Sequence, residues 1–483
     1  MKLISRVAAV AMSMTTICIA GGMMSGCSAG PDYHKPEAGL PSKWDSGSGV
    51  SFHQGVPGDA AIRGNWWEVF GDASLNRLEQ QALLKNQSLI SALAHLDAAR
   101  AQVNVVSAGL FPQAGLQAGP SRVQTSANRP LAAYGTANQS TIQNNDQLGF
   151  SVSYEADLFG RVSRSVESAG AQGEQATADL ENTRLVLMSE LAADYFNLRE
   201  LDCEIDVIQQ GIVLQERALN YIRARHDLGV ASGLDLAQQQ SVLDANRTQL
   251  ELEQVQRTKY LHALATMSGM PAPGFVIAPE LMMHSVPLLP VGVPSDVLQR
   301  RPDIASAERA MAVANANIGV ARAAYYPTIL FQANGGWDSN QLATLFNAPS
   351  VLWAFGASVT QTLFDGGKTT ATVKMAEAAY ASAVANYRQS VLLAMQEVAD
   401  GIDASALLGR AGTESQASVK SAQRVLDLAN DRYTGGLATY LDVITAQQAL
   451  LTNQRQAVQI YGQQMLTSVY LIKALGGGWQ VKK

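Results

Sequence analysis

The chain has 483 residues, a formal net charge of -6 and 16% charged residues, ample for a sizeable core and for two or three domains. A negative balance argues against nucleic acid as a partner. Of three cysteines, Cys18 lies in the N-terminal leader and Cys27 at its end, so Cys203 is the remaining thiol and no disulfide framework is possible.

The N-terminus reads as a targeting segment. Lys2 and Arg6 precede an apolar run from Val7, and Met24-Ser25-Gly26-Cys27 follows. Small residues before a cysteine resemble a bacterial lipoprotein cleavage box, with Met24 where leucine is usual. That resemblance makes residues 1–26 a signal peptide and Cys27 the acylated (palmitate-bearing) first residue of the mature chain, and Ser28 in place of Asp fits sorting to the outer membrane. Residues 27–72 then form an arm rich in Gly, Pro and Ser, with Ala29-Gly30-Pro31-Asp32-Tyr33 near its start and Trp66-Trp67 and Phe70 near its end.

Asp72 is placed as a helix cap, and a helical pattern runs from Ala73 to about Ala108, ended by Pro112. Residues 113–123 are Gly-rich and strand-like, and a polar stretch without periodicity continues to Asn145. Phe150, Val152, Tyr154, Ala156 and Leu158 then alternate with Ser151, Ser153, Glu155 and Asp157, the period-two signature of a strand between lipid and water. In the second half Tyr326-Pro327 ends a helical pattern. Ile329, Phe331, Ala333 and Trp337 then take one parity, against Thr328, Gln332 and Asn334. After a polar loop, Trp353, Phe355, Ala357, Val359 and Leu363 alternate against Gly356, Ser358, Thr360 and Thr362. Beyond the leader no apolar run approaches the roughly 20 residues of a membrane helix, so any membrane crossing falls to strands.

Both strand pairs end alike, in Leu158-Phe159-Gly160-Arg161 and Leu363-Phe364-Asp365-Gly366-Gly367-Lys368, and a long helical pattern begins at once. From Arg161 to Asp227 there is no proline. Leu191, Leu198, Ile205, Ile212 and Leu219 recur at heptad spacing, with Leu201, Ile208 and Ile222 beside them and Gln215 interrupting, which is a coiled-coil seam. At 1.5 Å per residue this helix is roughly 100 Å long, beyond any compact core. The counterpart from Lys368 to Thr434 also lacks proline, and Gly409 and Gly412 mark an expected bend. Helices 233–268 and 440–475 run back, and the proline-rich stretch from Pro271 to Pro294 joins the halves.

The turn between long and returning helix occurs twice. Arg217 to Gln240 lies over Arg424 to Gln447 at a shift of 207, with Arg225/Arg432, Gly229/Gly436, Ala231/Ala438, Leu234/Leu441 and Asp235/Asp442 among the identities. In each copy a helix runs into glycine, passes Ser232 or Thr439, and resumes as a helix, the pattern of an antiparallel helical hairpin. Residues 73–270 therefore form a first repeat, 271–294 a linker, 295–478 a second repeat and 479–483 a tail.

Four strands per chain cannot close a barrel, and an open edge in hydrocarbon leaves polar groups unsatisfied at several kcal/mol each. Single-chain barrels begin at about eight strands. If these segments span a membrane, at least two chains must share one barrel, which the long helices would extend as a conduit.

Arg300-Arg301-Pro302-Asp303-Ile304, followed by Ala307-Glu308 and Ala323-Ala324-Tyr325-Tyr326-Pro327, resembles the signature of the outer-membrane factor family of TolC-like and OprM-like channels. Cys27 with Gly30-Pro31-Asp32-Tyr33, and Phe364-Asp365-Gly366-Gly367, resemble marks of its NodT-type lipoprotein branch. The resemblance implies an α+β membrane protein. It would be a homotrimer with a transmembrane barrel of twelve strands, continued by a helical coiled-coil barrel through the periplasm and docked to a periplasmic adaptor serving an inner-membrane pump of RND type. It implies that the tips, Gly229, Val230, Ala231 and Ser232 with Gly436, Leu437, Ala438 and Thr439, meet the adaptor. It also implies that Asp235, Tyr433 and Asp442 form or line a periplasmic gate; Ala438 stands where some members carry arginine.

The six histidines show no metal-ligand spacing, and neither a phosphate-binding glycine loop nor a nucleophile elbow is present. The expected function is a passive exit duct for drug efflux, not an enzyme, with no cofactor beyond the lipid on Cys27. The alternatives are a lipid-anchored periplasmic coiled-coil scaffold and the outer-membrane component of type I protein secretion.

Overall fold

The computed structural model describes residues 29–35, 64–128, 140–281, 285–287 and 301–477. The leader, Cys27, the Gly/Ser-rich part of the arm, part of the linker (282–284 and 288–294) and the tail lie outside the described residues. After a 3-10 turn at Trp66–Phe70, helix α1 spans Ala73–Lys85 and α2 spans Gln87–Ser107. Asp72 caps α1 as expected, its Oδ1 accepting from the backbone of Ser74 at 2.7 Å and Leu75 at 3.0 Å. The single helix expected from Ala73 to Ala108 is two. Asn86 takes extended backbone with ψ 125°, its side-chain oxygen accepts from Ser88 and Leu89, and its amide donates to the Met267 carbonyl at 2.8 Å. One asparagine thus ends α1, starts α2 and ties both to a distant helix end.

The strands are β1 (Gln113–Thr125), β2 (Thr141–Ala156), β3 (Thr328–Ser339) and β4 (Val351–Thr360). They form one sheet in the order β1-β2-β3-β4, antiparallel throughout, with Gln113 opposite Ser153, Ala156 opposite Ile329 and Thr328 opposite Thr360. β1 and β4 are the edges, and both are exposed along nearly their whole length. The polar stretch from Thr141 to Asn145, read as irregular, is strand. It carries no continuous apolar face, so alternation could not announce it.

Helix α3 spans Arg161–Asp227, α4 Gly233–Met267, α5 Pro302–Ala323, α6 Lys368–Thr434 and α7 Tyr440–Ala474, and α3 and α6 each have 67 residues. The heptad positions of α3 face inward: Leu191, Leu198, Ile208 and Ile222 are at most 1% exposed. The polar interruption is accommodated, because Gln215 is buried and accepts from Asn246 at 2.8 Å, which satisfies it in an apolar setting. Helix α6 continues as helix through Gly409 and Gly412, so no turn interrupts it there. A Cβ on Gly412 would come 2.6 Å from the Gln464 amide nitrogen of α7, and that amide donates to the Leu408 carbonyl at 2.7 Å. Gly412 thus leaves room for the Gln464 side chain between the two helices.

The chain forms two compact units, each drawing on both repeats. One includes residues 97–175 and 308–385 and holds the sheet. There the Ala29–Tyr33 segment is docked. The Ala29 N–H donates to the Phe159 carbonyl at 3.0 Å, Asn315 of α5 donates to the Pro31 carbonyl at 3.0 Å, Asp32 pairs with Arg164 of α3 at 2.8 Å, and Tyr33 donates to Glu308 at 2.6 Å. Gly30, at φ 101°, sits so near Gly319 that a Cβ would fall 2.6 Å from the Gly319 Cα, which is why both are glycine.

The other unit includes residues 176–307 and 386–483 and holds both helical hairpins. Its core joins Trp67, Leu75, Met188, Leu191, Tyr195, Leu264, Met465 and Val469. Pro302 opens α5, where a missing N–H is harmless. Arg301 before it is buried and binds Asp303 at 2.7 Å, Glu397 of α6 at 2.5 Å and the Ala474 carbonyl at the end of α7 at 3.2 Å. No described helix is long and apolar enough to cross a membrane.

Candidate functional site

The two hairpin turns are built alike. Gly229 and Gly436 have φ of 73° and 72°, left-handed values that glycine adopts at the end of a helix. The Val230 N–H returns to the Arg225 carbonyl and the Leu437 N–H to the Arg432 carbonyl, each at 2.8 Å. A Cβ on either glycine would meet nothing within 4 Å, so the backbone angle within the chain, not crowding, requires glycine. The next helices start at Ser232 and Thr439. Asp235 accepts from the Ser232 N–H at 3.1 Å and hydroxyl at 2.8 Å, while its own N–H donates to the Ser232 hydroxyl at 3.1 Å, a reciprocal capping box. Asp442 likewise accepts from the Thr439 N–H and hydroxyl, both at 2.9 Å.

Both predicted gate carboxylates therefore close their own helix starts. Tyr433, the third, donates to neither in the described residues. Its ring lies 5.2 Å from that of Tyr440 and 5.2 Å from the Arg225 guanidinium. Burial raises the Tyr433 pKa and Arg225 opposes that shift. Tyr440 is buried and donates to Gln239 of α4 at 2.8 Å, and Gln239 donates to the Gln215 carbonyl of α3 at 3.2 Å. Arg225, Tyr440 and Gln239 thus stitch the two hairpins together. Sequence reading missed all three, although Arg225 recurs as Arg432 in the repeat.

The tip residues divide by environment. Val230 is 62% and Leu437 74% exposed, with Leu228, Leu234 and Leu441 also exposed beside them. Ala231 and Tyr433 instead pack on a buried cluster that includes Ile222, Leu426, Tyr440 and Ile444. Between α6 and α7 below the second turn lies an open groove of about 810 Å³, lined by Val425, Leu428, Arg432, Leu437 and Asp442 among others. An exposed apolar rim around a hydrogen-bonded double turn fits the packing of partner helices. The described residues contain no group of three or more His, Cys, Asp or Glu arranged to hold a metal.

Among known families, the chain matches the one described as "Outer membrane efflux protein" over residues 78–270 and 293–477. It is 32% identical over 461 residues to the "Toluene efflux pump outer membrane protein TtgF" of Pseudomonas putida, covering 94% of this chain and 95% of that protein. The fold is similar to the outer-membrane channel OprN, with TM-score 0.84, 27% identity and coverage of 94% of this chain and 100% of that one. It is also similar to the open state of the Neisseria gonorrhoeae MtrE outer membrane channel, with TM-score 0.80, 27% identity and coverage of 94% and 98%.

Proposed function

Because the chain belongs to the outer membrane efflux protein family, we propose that it is the outer-membrane exit duct of a tripartite multidrug or solvent efflux system. It is a passive channel and not an enzyme. The observation that carries this reading is the sheet: four antiparallel strands whose edges β1 and β4 have no strand partner among the described residues. Such edges are not viable in hydrocarbon, and closure takes more strands than one chain supplies. Three copies joined β4 to β1 enclose a lumen, and α3 and α6, which start at the strand ends, carry its wall into the periplasm.

Energy for transport comes from an inner-membrane pump of RND type, coupled through a periplasmic adaptor. The adaptor meets the exposed Val230, Leu437 and neighbouring leucines at tips formed by Gly229 to Ser232 and Gly436 to Thr439, and Asp235, Tyr433 and Asp442 line the resting constriction. We further infer that the chain belongs to the NodT-type lipoprotein branch, with Cys27 acylated. Support comes from the cleavage-box pattern and from the docked Ala29–Tyr33 segment, which ties the chain just after Cys27 to the base of the sheet.

The test is electrical. Purified protein added to a planar bilayer should give discrete single-channel steps, larger for Tyr433→Ala than for the parent protein. A folded protein that gives no steps in either form rules the duct out.

A further inference from the structure

Inside the chain the two repeats meet along one strand seam, β2 against β3. At its helix-side end Phe159, in the corner after β2, stacks on Tyr326, in the corner before β3, with ring centroids 4.7 Å apart and planes at 12°. The rings lie just past the Ala156–Ile329 pair, so the stack extends the ladder beyond its last paired residues.

The repeat provides a second copy of each ring. Leu158-Phe159 before α3 corresponds to Leu363-Phe364 before α6, and Tyr326-Pro327-Thr328 entering β3 corresponds to Phe111-Pro112-Gln113 entering β1. These second copies are bare: Phe364 is 89% exposed and Phe111 67%. They sit at the helix-side ends of the two edge strands, where the sheet has no neighbouring strand among the described residues. Lipid does not suit them. Phe364 falls on the parity of Thr360 and Thr362, and Phe111 on that of Gln113 and Gln117, as Phe159 does with Ser153 and Tyr326 with Thr328. All four rings belong to the polar parity of the strands, while Leu363 falls with Val359 and Trp353 on the apolar one.

We propose that Phe364 of one copy packs on Phe111 of the next, repeating between chains the Phe159–Tyr326 contact within each. Every seam between hairpins, β2–β3 within a chain and β4–β1 between chains, then ends in an aromatic pair. The proposal rests on the reading that copies share one barrel. The hairpin registers, Gln113 with Ser153 and Thr328 with Thr360, make Ser153 the counterpart of Thr360. Phe364 is therefore two residues nearer its strand than Phe159, and on the same face because two residues is the strand period. Carrying the β2–β3 register to β4 and a neighbouring β1 sets Val359 opposite Ala118, Leu363 opposite Ala114 and Thr360 opposite Gln117. Apolar meets apolar and polar meets polar, an agreement that a slip of one residue destroys. Phe364 lies opposite Gln113 and diagonal to Phe111, a separation aromatic side chains bridge.

A photo-crosslinking phenylalanine analogue at position 364 of the full-length protein tests this. The expected result, with light and heavy isotope-labelled chains mixed, is a product joining position 364 to the segment around Phe111 of a different chain. An intact trimer whose crosslink goes to lipid or to another segment overturns the aromatic pair and leaves the shared barrel standing. A particle containing one chain overturns the shared barrel itself. Heat dissociation on gels gives a second readout. Phe364→Ala and Phe111→Ala should each lower the temperature at which the trimer band separates, the double variant should be no worse than either single, and Phe364→Tyr should restore it, as tyrosine serves at position 326. Additive losses in the double variant contradict the pairing.

Discussion

Asp442 holds its helix start through two hydrogen bonds from Thr439 and is also a proposed gate residue, and substitution separates the roles. Asp442→Ala removes both the charge and the acceptor that closes the capping box with Thr439. Asp442→Asn keeps an acceptor and removes only the charge. A charged constriction predicts that both variants conduct more and prefer cations less in a planar bilayer; an effect confined to Asp442→Ala assigns it to the cap. A second residue carries a pH signature. Glu200 of α3 packs on Gly462 of α7, whose Cβ would fall 2.6 Å from the Glu200 Cγ. Arg455 of α7 pairs with the neighbouring carboxylates Glu204 and Glu253. Burial, followed by the charges of Glu204 and Glu253, raises the Glu200 pKa from 4.5 to about 7. Between those values the folded chain holds a proton that the unfolded chain releases, so stability falls as pH rises through that window and is fully reduced above about 7. Thermal melting from about pH 5 to about pH 8 should show a smaller decline in Glu200→Gln than in the parent. Identical profiles remove Glu200 from the effect.

At the scale of elements, the turn around Gly436 invites a direct test of docking. A glutamate there must take a left-handed φ of 72°, at about 1–2 kcal/mol, and adds charge to an apolar rim. Gly436→Glu should abolish pump-supported drug resistance with the trimer intact, whereas Gly436→Asn, which tolerates that φ, should retain it. Normal resistance in the Glu variant counts against tip docking. The long helices were legible in the sequence because an absent proline and a heptad seam are local signals, and both turns were legible because they occur twice. Other features depend on partners that no local pattern reveals. The break at Asn86 needs the Met267 carbonyl, and the Gln464 side chain that lies against Gly412 is 52 residues away in sequence. The polar end of β2 lacks an apolar face, so only its pairing with β1 defines it. At the tips, Ser232 to Asp235 and Thr439 to Asp442 follow the capping-box spacing, a legible signal that the gate reading passed over. The Tyr440–Gln239 bond joins residues 201 apart and was not legible.

For the whole molecule, the sheet matters most. An antiparallel sheet with two open edges and exposed faces is unfinished as a soluble domain, while the helices beneath the tips bury apolar clusters within one chain. Assembly must therefore be driven where the strands are. The mass of the particle purified in detergent, measured for Cys27→Ser so that no acyl chain contributes, tests this most directly. The account predicts three chains per particle and precipitation when detergent is withdrawn. A single chain that stays in solution without detergent would contradict it.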